Sequence, residues 1–337
     1  MAAMMSLRSA IRIEAPRFLL FTASGIVAGL SYRALKDNLP GSYLDAALTG
    51  LAITLGLYLA RIGLEWTRPG RWLQRQPFYV STLVELAVYF GVVIAALDLA
   101  GHLIDGYTYA NEDSVLYSFD VSWRLVLLWK VVRLVGGSVL FNLAIGRYNR
   151  PVRDDRAFLF LDLVGSTAIT ERLGETETQA LLSQFYFDIA QPITECGGEV
   201  YQYRGDEISV SWPLKRAARR AAPVACARAI QAKITERAAF YRNRFGLVPE
   251  FRIGLHGGPV VSGEVGDAKR EIVFFGDTLN TTARLLQAAK QHGIDICISA
   301  ALLSELTLPA DVGARSLGLV ELRGKRAPLE LFALAFA

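Results

Sequence analysis

Four long apolar stretches occupy much of the first 150 residues, whereas the rest of the chain alternates shorter apolar and polar runs. These stretches cover residues 18–32, 43–60, 79–97 and 121–145. A helix that spans a bilayer needs roughly 20 mostly apolar residues. The second and third stretches approach that length with one acidic residue each, the first is short, and the fourth contains Arg124, Lys130 and Arg133. The pattern predicts four transmembrane helices.

Two other interpretations of these stretches are less consistent with the sequence. The buried helices of a water-soluble bundle rarely contain apolar runs longer than about 14 residues without a polar stripe. A cleaved signal peptide would need a small-residue cleavage site before the polar residues 33–42, and none is clear there. We therefore expect a membrane-embedded unit in contact with lipid.

Basic residues set the expected orientation of the helices, because cytoplasmic loops carry an excess of Lys and Arg. Residues 8–17 and the second loop, residues 61–75, are basic, whereas residues 98–120 contain five acidic residues and no Lys or Arg. Both termini are then cytoplasmic, in a multi-pass protein of the cell membrane. The net charge of +4 follows from this topology, and no interleaved basic and aromatic pattern predicts a nucleic-acid partner.

The three basic residues of the fourth stretch need an explanation, because charge inside a membrane is costly. One interpretation places Arg124 at the outer interface, with Lys130 and Arg133 facing a protein-lined or wet interior. A second is a voltage-sensing helix, since charges at this spacing resemble those of voltage sensors. A third is that the span begins later, with residues 136–145 as its inner half. A short basic link with Pro151 follows, and the proline ends the helix before the next strand.

The second half of the chain alternates strand and helix patterns, which predicts an α+β domain with one mixed sheet. Predicted strands cover residues 157–162, 199–204, 207–212, 250–256, 259–264, 271–275, 294–298, 315–321 and 329–335. Predicted helices cover residues 166–195, 214–242 and 278–291. We therefore expect a membrane domain at residues 1–150 and a second domain at residues 151–337.

Two carboxylates are predicted at the ends of neighbouring strands in the second domain. The apolar run 158–161 ends at Asp162, and residues 163–167 form a small-residue turn before a helix. The backbone N–H groups of such a turn bind phosphates. Asp206 follows in an Arg-Gly-Asp-Glu turn between two apolar alternations that predict a hairpin. An Asp at a strand end also serves as a helix cap, which is the simpler alternative.

A predicted helix that begins after Gly276 places Asn280 and Arg284 four residues apart, on one face. These two residues could simply connect the helix to a neighbouring element. Together with two carboxylates on adjacent strands, however, they suit metal-dependent chemistry on a nucleoside triphosphate.

Four motifs in this order resemble those of the class III nucleotide cyclase catalytic domain, over residues 156–337. They are Phe160-Leu-Asp-Leu-Val-Gly-Ser-Thr167, Arg204-Gly-Asp-Glu207, Arg252-Ile-Gly-Leu-His-Gly-Gly-Pro-Val260 and Gly276-Asp-Thr-Leu-Asn280 to Arg284. The resemblance implies a βααββαβ fold and a homodimer with active sites at the subunit interface. It also implies an adenylate cyclase that converts ATP into 3′,5′-cyclic AMP and pyrophosphate.

The resemblance further implies roles for single residues. Asp162 and Asp206 match the carboxylates that hold two Mg²⁺ or Mn²⁺ ions, with the backbone carbonyl of Leu163 as a further ligand. Arg284 matches the arginine that meets the α-phosphate in the transition state, and Asn280 matches the residue that orients the ribose.

Phosphate contacts are implied at two places. The turn residues Gly165, Ser166 and Thr167 match the phosphate-binding turn. A basic residue of the C-terminal hairpin holds the terminal phosphates in this family, and both Arg323 and Lys325 match that position.

The base-reading positions depart from the family pattern. Gln202 stands where a Lys usually reads the purine, and Val273 replaces the usual Asp or Thr partner. The amide of Gln202 both donates and accepts hydrogen bonds, so it pairs with an adenine edge or, when turned, with another base. We expect ATP as the substrate with weak selectivity, and GTP or a pyrimidine triphosphate as the alternative.

Three other functions compete with this interpretation. A diguanylate cyclase has a similar hairpin, but it needs a second Gly before the acidic pair and lacks the motif from Asn280 to Arg284. A degenerate cyclase domain would only bind a nucleotide or a protein partner. A sensory membrane module with the cyclase as its output is compatible with the main interpretation, and the sequence does not name its stimulus.

Overall fold

The computed structural model describes residues 7–36, 42–73, 76–104, 112–135, 146, 150–267, 271–322 and 327–336. The contacts divide the chain into two compact units, residues 1–140 and 141–337. The predicted boundary at residue 150 stays a prediction, because most residues between 136 and 149 lie outside the described part.

The first unit is helical. Its helices are α1 (Leu7–Leu35), α2 (Tyr43–Trp66), α3 (Arg68–Leu73), α4 (Phe78–Ile104) and α5 (Glu112–Val135). Within the described residues, three segments are long and apolar enough to cross a membrane: Phe18–Leu35, Tyr43–Leu64 and Tyr79–His102. They correspond to the first three predicted spans. The fourth predicted span continues into residues 136–145, which lie outside the described part, so it stays a prediction.

Small residues bring α1 and α2 together. A Cβ atom on Gly29 would overlap the backbone carbonyl of Ala46, and one on Gly50 would overlap the carbonyl of Gly25. Gly25 and Gly29 form a Gly-xxx-Gly pair, and Ala46 and Gly50 form the matching small-xxx-small pair on α2. Such pairs let membrane helices approach until their backbones touch.

The charged residues of α5 have different surroundings. The ammonium of Lys130 lies 2.8 Å from the carboxylate of Glu85 on α4 and donates a hydrogen bond to Thr82 at 3.1 Å. Arg124 is exposed and pairs with Asp120, one turn earlier on the same helix, at 3.0 Å. Lys130 thus has an acidic partner from another helix, as the predicted position of this charge inside a membrane would require.

The second unit is an α+β domain. Its helices are α6 (Ser166–Leu173), α7 (Glu175–Glu195), α8 (Leu214–Ala218), α9 (Ala222–Glu236), α10 (Ala238–Phe245), α11 (Asp277–His292) and α12 (Ala300–Leu303). Its strands are β1 (Val152–Leu163), β2 (Glu199–Arg204), β3 (Glu207–Pro213), β4 (Phe251–Val265), β5 (Glu271–Phe275), β6 (Ile296–Ser299), β7 (Val312–Val320) and β8 (Leu329–Phe336). The order β1-α6-α7-β2-β3-α9-β4 confirms the expected βααββαβ arrangement.

One mixed sheet contains all the strands of the described residues, in the order β2-β3-β1-β4-β6-β8-β7, with β5 paired to the end of β4. Strands β4 and β6 run parallel, and the other neighbouring pairs are antiparallel. Strand β1 lies inside the sheet, and residues 156–163 are buried. Burial on both faces explains its uninterrupted apolar sequence.

The alternation of side chains along β1 separates two apolar clusters. Leu159 and Leu161 join the large core with Phe185 and Ile230. Phe158 and Phe160 point to the other face and pack with Leu286 of α11 and other residues. Strand β1 is therefore covered by helices on both sides, and Asp162 lies near its end.

Four predicted elements are divided or joined in the structure. The predicted helix 166–195 is two helices, because Gly174 interrupts it with a φ of 78°. The predicted helix 214–242 is broken where Arg220 and Ala221 adopt left-handed backbone conformations, with φ of 59° and 47°. The predicted strands 250–256 and 259–264 form the single long strand β4, because Gly257, Gly258 and Pro259 stay paired with β1.

Candidate active site

Two carboxyl groups meet at the end of β1. Asp162 is 6% exposed and lies opposite Glu207 in the register of β1 and β3. The two-residue turn between β2 and β3 consists of Gly205, with a φ of 61°, and Asp206. The hydroxyl of Tyr186 donates a hydrogen bond to the carbonyl of Gly205 at 2.8 Å and holds this turn. Asp206 therefore lies close enough to Asp162 to raise the pKa of that carboxyl group.

The electrostatics of this pair are set by burial and by one cation. Burial raises the pKa of Asp162, and the neighbouring Asp206 raises it further, whereas the Lys290 ammonium acts to lower it. Lys290 forms an ion pair with Asp162 from the last turn of α11. Sequence reasoning missed Lys290, although it lies on the same helix as Asn280 and Arg284.

The predicted phosphate-binding turn lies beside the carboxylates. Gly165 has a φ of 67° and precedes α6, whose first residues are Ser166 and Thr167. An open cleft next to this turn is lined by Leu163, Ser166, Thr167, Thr170, Gly205 and Asp206, among others. The structure therefore brings the turn, Leu163 and Asp206 together around one cleft.

The donor set at this cleft fits a hard divalent cation. Within the described part of the chain, no group of three or more His, Cys, Asp or Glu side chains is placed to hold a metal. Mg²⁺, however, is commonly bound by one or two carboxylates together with substrate phosphates and water. Asp162, Asp206 and the carbonyl of Leu163 offer oxygen ligands of this kind, and a cation would offset the repulsion that raises the pKa of Asp162.

Asn280 and Arg284 lie elsewhere in the same chain. Thr278, at the start of α11, donates a hydrogen bond to the carbonyl of Pro259 at 2.7 Å. Pro259 is the register partner of Asp155, seven residues before Asp162 along β1. The start of α11 therefore lies toward the opposite end of β1 from the carboxylates.

The side chains of the Asn/Arg pair differ in burial. Asn280 is exposed, and Arg284 is half-buried. The Nη1 atom of Arg284 is buried without a hydrogen-bond partner. A buried guanidinium nitrogen without an acceptor is unusual in a folded chain, and it indicates a missing negative or polar partner.

The two base-reading positions flank a contact between β2 and β5. The backbone N–H of Phe274 donates to the hydroxyl oxygen of Tyr201 at 3.3 Å, and their rings lie 4.9 Å apart. Tyr201 is the extra residue of a β-bulge, since the register with β3 shifts between Val200 and Gln202. A bulge re-aims the side chain of its extra residue. Sequence reasoning missed Tyr201, because a bulge leaves no mark on a short alternating strand.

Beneath this contact lies a buried arginine. Arg156 is 6% exposed, donates to Glu199 and Ser211 at 2.9 Å each, and lies 4.8 Å from the ring centre of Phe274. These contacts support β5 from the sheet side. The predicted phosphate-binding candidates Arg323 and Lys325 lie outside the described residues.

Comparison with known proteins adds independent findings. A family model described as the adenylate and guanylate cyclase catalytic domain matches residues 150–335. Adenylate cyclase 2 of Rhizobium meliloti (strain 1021) is 35% identical over 264 residues, which cover 76% of this chain and 73% of that protein. This similarity is longer than the family-model match, so it extends beyond residues 150–335.

Other relatives match about half of this chain and a smaller share of their own length. Adenylate cyclase 1 of the same organism is 28% identical over 183 residues, covering 53% of this chain and 27% of that protein. Retinal guanylyl cyclase 2 of Homo sapiens is 31% identical over 175 residues, covering 49% of this chain and 15% of that protein.

Solved structures share the fold. The structure of a bacterial light-regulated adenylyl cyclase is similar with a TM-score of 0.55 and 18% identity, covering 64% of this chain and 63% of that one. The crystal structure of the adenylyl cyclase CyaB from P. aeruginosa is similar with a TM-score of 0.50 and 20% identity, covering 56% and 97%.

Proposed function

Because this chain belongs to the class III adenylate and guanylate cyclase family and is a nucleotide cyclase, we propose that it is a membrane-bound adenylate cyclase. It converts ATP into 3′,5′-cyclic AMP and pyrophosphate. The observation that carries this proposal is the position of Asp206, close to Asp162 and in the cleft beside the turn at Gly165, Ser166 and Thr167.

The reaction forms one P–O bond and breaks another. The ribose 3′-oxygen attacks the α-phosphorus and loses its proton, and the bond to the departing pyrophosphate breaks. The chain must hold the 3′-oxygen, the α-phosphorus and the leaving pyrophosphate in line, prevent other arrangements of the triphosphate, and compensate the negative charge that builds on the phosphates in the transition state. Bound at Asp162, Asp206 and the Leu163 carbonyl, two Mg²⁺ or Mn²⁺ ions would polarise the 3′-hydroxyl and neutralise phosphate charge.

The chain's own residues perform the positioning. The N–H groups that follow Gly165, at the start of α6, point toward the triphosphate as phosphate donors. Arg284 supplies a guanidinium for the α-phosphate, where charge builds in the transition state. Asn280 orients the ribose through its side-chain amide.

Dimerisation follows from where α11 begins. Seven strand residues separate the level of Pro259 and Asp155 from Asp162, which corresponds to about 23 Å. Asn280 lies two residues after Thr278, at that distant end. We therefore assign each active site to two copies of this chain, with the carboxylates from one and the Asn/Arg pair from the other.

Exposed apolar side chains support an interface on the second unit. Phe187, Tyr203, Val265 and Phe275 are between 47% and 73% exposed. Phe275 lies beside its register partner Val261, which is 37% exposed, and adjoining exposed apolar side chains are typical of surfaces that pack against a partner.

The substrate assignment rests on the relatives and on Gln202. The most similar of the relatives described above is named as an adenylate cyclase. Gln202 forms one neutral hydrogen bond with a base, and Val273 adds only packing, so discrimination should be about 1 kcal/mol. ATP is then preferred weakly, and GTP or a pyrimidine triphosphate is the alternative substrate.

The membrane anchor is the first unit. The three helices long and apolar enough to cross a membrane support it, and α5 with the following residues supplies the fourth span. Both termini face the cytoplasm, where ATP is available, and the domains divide near residue 150.

Turnover of four nucleotides by the full-length protein in membranes tests the proposal. We expect cyclic AMP from ATP in the presence of Mg²⁺ or Mn²⁺, with several-fold slower turnover of GTP, CTP and UTP. Asp162→Asn should abolish turnover, whereas Asp155→Asn, an exposed carboxylate on the same strand, should retain it. A higher rate with GTP or a pyrimidine nucleotide would refute ATP as substrate and leave the cyclase reaction standing.

A further inference from the structure

The membrane unit contains a cavity between α1, α2 and α5. It has a volume of about 80 Å³ and a mostly apolar wall, and it lies where α1 ends and where α2 and α5 begin. Tyr32 and Arg33 from α1, Asp45 from α2 and Tyr117 from α5 contribute its polar residues, among others.

Two polar atoms at this cavity are buried without a hydrogen-bond partner. They are the hydroxyl oxygen of Tyr32 and the Nε atom of Arg33. The ring of Tyr117 lies 4.7 Å from that of Tyr32, but its hydroxyl donates to the carbonyl of Ala28 at 3.1 Å. Buried donors without acceptors are rare in native proteins, so the two on Tyr32 and Arg33 point to a ligand that accepts hydrogen bonds.

The charges around the cavity favour an anion. The carboxylate of Asp45 accepts from the backbone N–H of Ser42 at 2.5 Å, in the cap of α2. Lys36 and Asp113 form an ion pair with each other at 2.6 Å. Both acidic groups thus have partners, whereas the guanidinium of Arg33 pairs with no carboxylate in the part of the chain that the structure describes.

The size of the cavity limits what enters. An engineered cavity of about 150 Å³ accommodates benzene, so a cavity of about 80 Å³ admits a small headgroup and not a nucleotide. Apolar side chains on the same helix, such as Val27 beside the cavity-lining residues and Leu20 further toward the start of α1, are 61% and 71% exposed. They offer a surface along which a hydrocarbon chain would lie.

We propose that this cavity binds the carboxylate headgroup of a single-chain amphiphile. The carboxylate accepts from Nε of Arg33 and the hydroxyl of Tyr32, two donor groups for which the described residues provide no acceptor. The hydrocarbon chain follows the outward-facing side of α1. The proposal concerns the membrane unit alone and does not depend on which nucleotide the second unit converts.

Photo-crosslinking tests the proposal on the full-length protein in lipid nanodiscs. The probe is a ten-carbon carboxylate that carries a diazirine near its head, and labelled peptides are identified by mass spectrometry. We expect labelling concentrated on the cavity-lining parts of α1, α2 and α5. Excess decanoate should suppress it, and excess decyltrimethylammonium, a cation of equal chain length, should not.

Matched variants locate the headgroup. Tyr32→Phe and Arg33→Gln should each reduce the labelling about tenfold, as expected when a hydrogen bond to a charged group is lost. Tyr79→Phe and Arg124→Gln, which change exposed residues outside the cavity, should leave it unchanged. Labelling spread evenly over the lipid-facing helices, or equal competition by the cation in the wild-type protein, would overturn the proposal even if a variant failed to fold.

Discussion

Asp162 is subject to opposing influences that determine how it responds to a cation. Burial raises its pKa, Asp206 raises it further, and the ammonium of Lys290 acts in the opposite direction. A divalent cation at the two carboxylates would replace the charge compensation that Lys290 provides. We therefore expect Lys290 to act on metal binding through Asp162, although no motif marks it.

The Lys290→Met variant should bind the metal more tightly. The ammonium and the metal compete for Asp162, so its removal should lower the Mg²⁺ concentration for half-maximal activity about threefold, a small effect because the pair is partly exposed. Metal titration of the cyclase activity measures this. Lys233→Met, which removes a lysine paired with Glu236 away from the site, is the matched control. A lower Mg²⁺ concentration for half-maximal activity in the control, or a higher one in Lys290→Met, would contradict the competition between Lys290 and the metal.

Tyr201 positions the strand that carries Val273. Tyr201→Phe removes the acceptor for the N–H of Phe274, and one neutral hydrogen bond contributes about 1 kcal/mol. We expect kcat/KM for ATP to fall about fivefold, mainly because KM rises. The ratio of kcat/KM for ATP to that for GTP should become smaller. Tyr203→Phe keeps the half-exposed ring of a second tyrosine on the same strand and removes only its hydroxyl, so it should have little effect. Steady-state kinetics with both nucleotides separates the two variants.

In the first unit, helices make close contact where a glycine leaves room for the neighbouring backbone. In the second unit, helices are interrupted where residues adopt a left-handed backbone conformation. The contact between α1 and α2 requires the hydrogen atom of Gly29 in place of a side chain. The interruption before α9 at Arg220 and Ala221 occurs without glycine, so the sequence predicted an uninterrupted helix. A helix end of this kind, at residues other than glycine, is set by tertiary packing and not by the local conformational preference of the residues.

The Gly29→Leu variant should separate α1 from α2. Its side chain would overlap the backbone at Ala46, and forced overpacking typically costs 1–3 kcal/mol. We expect a lower melting temperature of the detergent-solubilised protein. Gly63→Leu is the matched control on α2, because a Cβ there meets nothing within 4 Å. Equal melting of both variants would show that the glycine contact does not hold the helices together.

The assembled protein needs two chains if each site is shared. Within one chain, Lys290 and not Asn280 reaches Asp162. The same α11 helix then serves two sites, with its last turn at its own carboxylates and its first turn at those of the partner. This arrangement is a proposal that variants in separate chains can test.

Two inactive variants should restore activity when they are combined. Asp162→Asn and Arg284→Ala damage different halves of a shared site, so random pairing leaves one intact site in half of the dimers, about a quarter of wild-type activity. Co-expression followed by cyclic AMP measurement gives the result. Asp162→Asn with Asp206→Asn is the control, since both lie in the same half and no recovery is expected. Activity that stays at the level of the single variants would exclude the shared site.

The topology of the membrane unit is tested by cysteine labelling. In intact cells, a membrane-impermeant maleimide should label Glu112→Cys, in the acidic third loop, and not Arg71→Cys, in the basic second loop. The three native cysteines lie after residue 195 and should stay unlabelled until the cells are opened. The reverse pattern would place the second unit outside the cell and remove its access to ATP.

Local pattern was sufficient for the main outline of this protein. The length of the apolar stretches predicted the first three helices that are long and apolar enough to cross a membrane. The alternation of apolar and polar residues, together with the turn residues, predicted the mixed sheet and placed Asp162 and Asp206 at strand ends. These features depend on residues close in sequence, whose spacing is visible without a structure.

Only the tertiary structure decided which distant residues meet. The pairing of Lys130 with Glu85, the ion pair of Lys290 with Asp162 and the bulge that turns Tyr201 toward Phe274 each join separate elements. None has a sequence signature, because long-range contacts are set by how the elements pack together. The same packing placed Asn280 far from Asp162, although both belong to one predicted site.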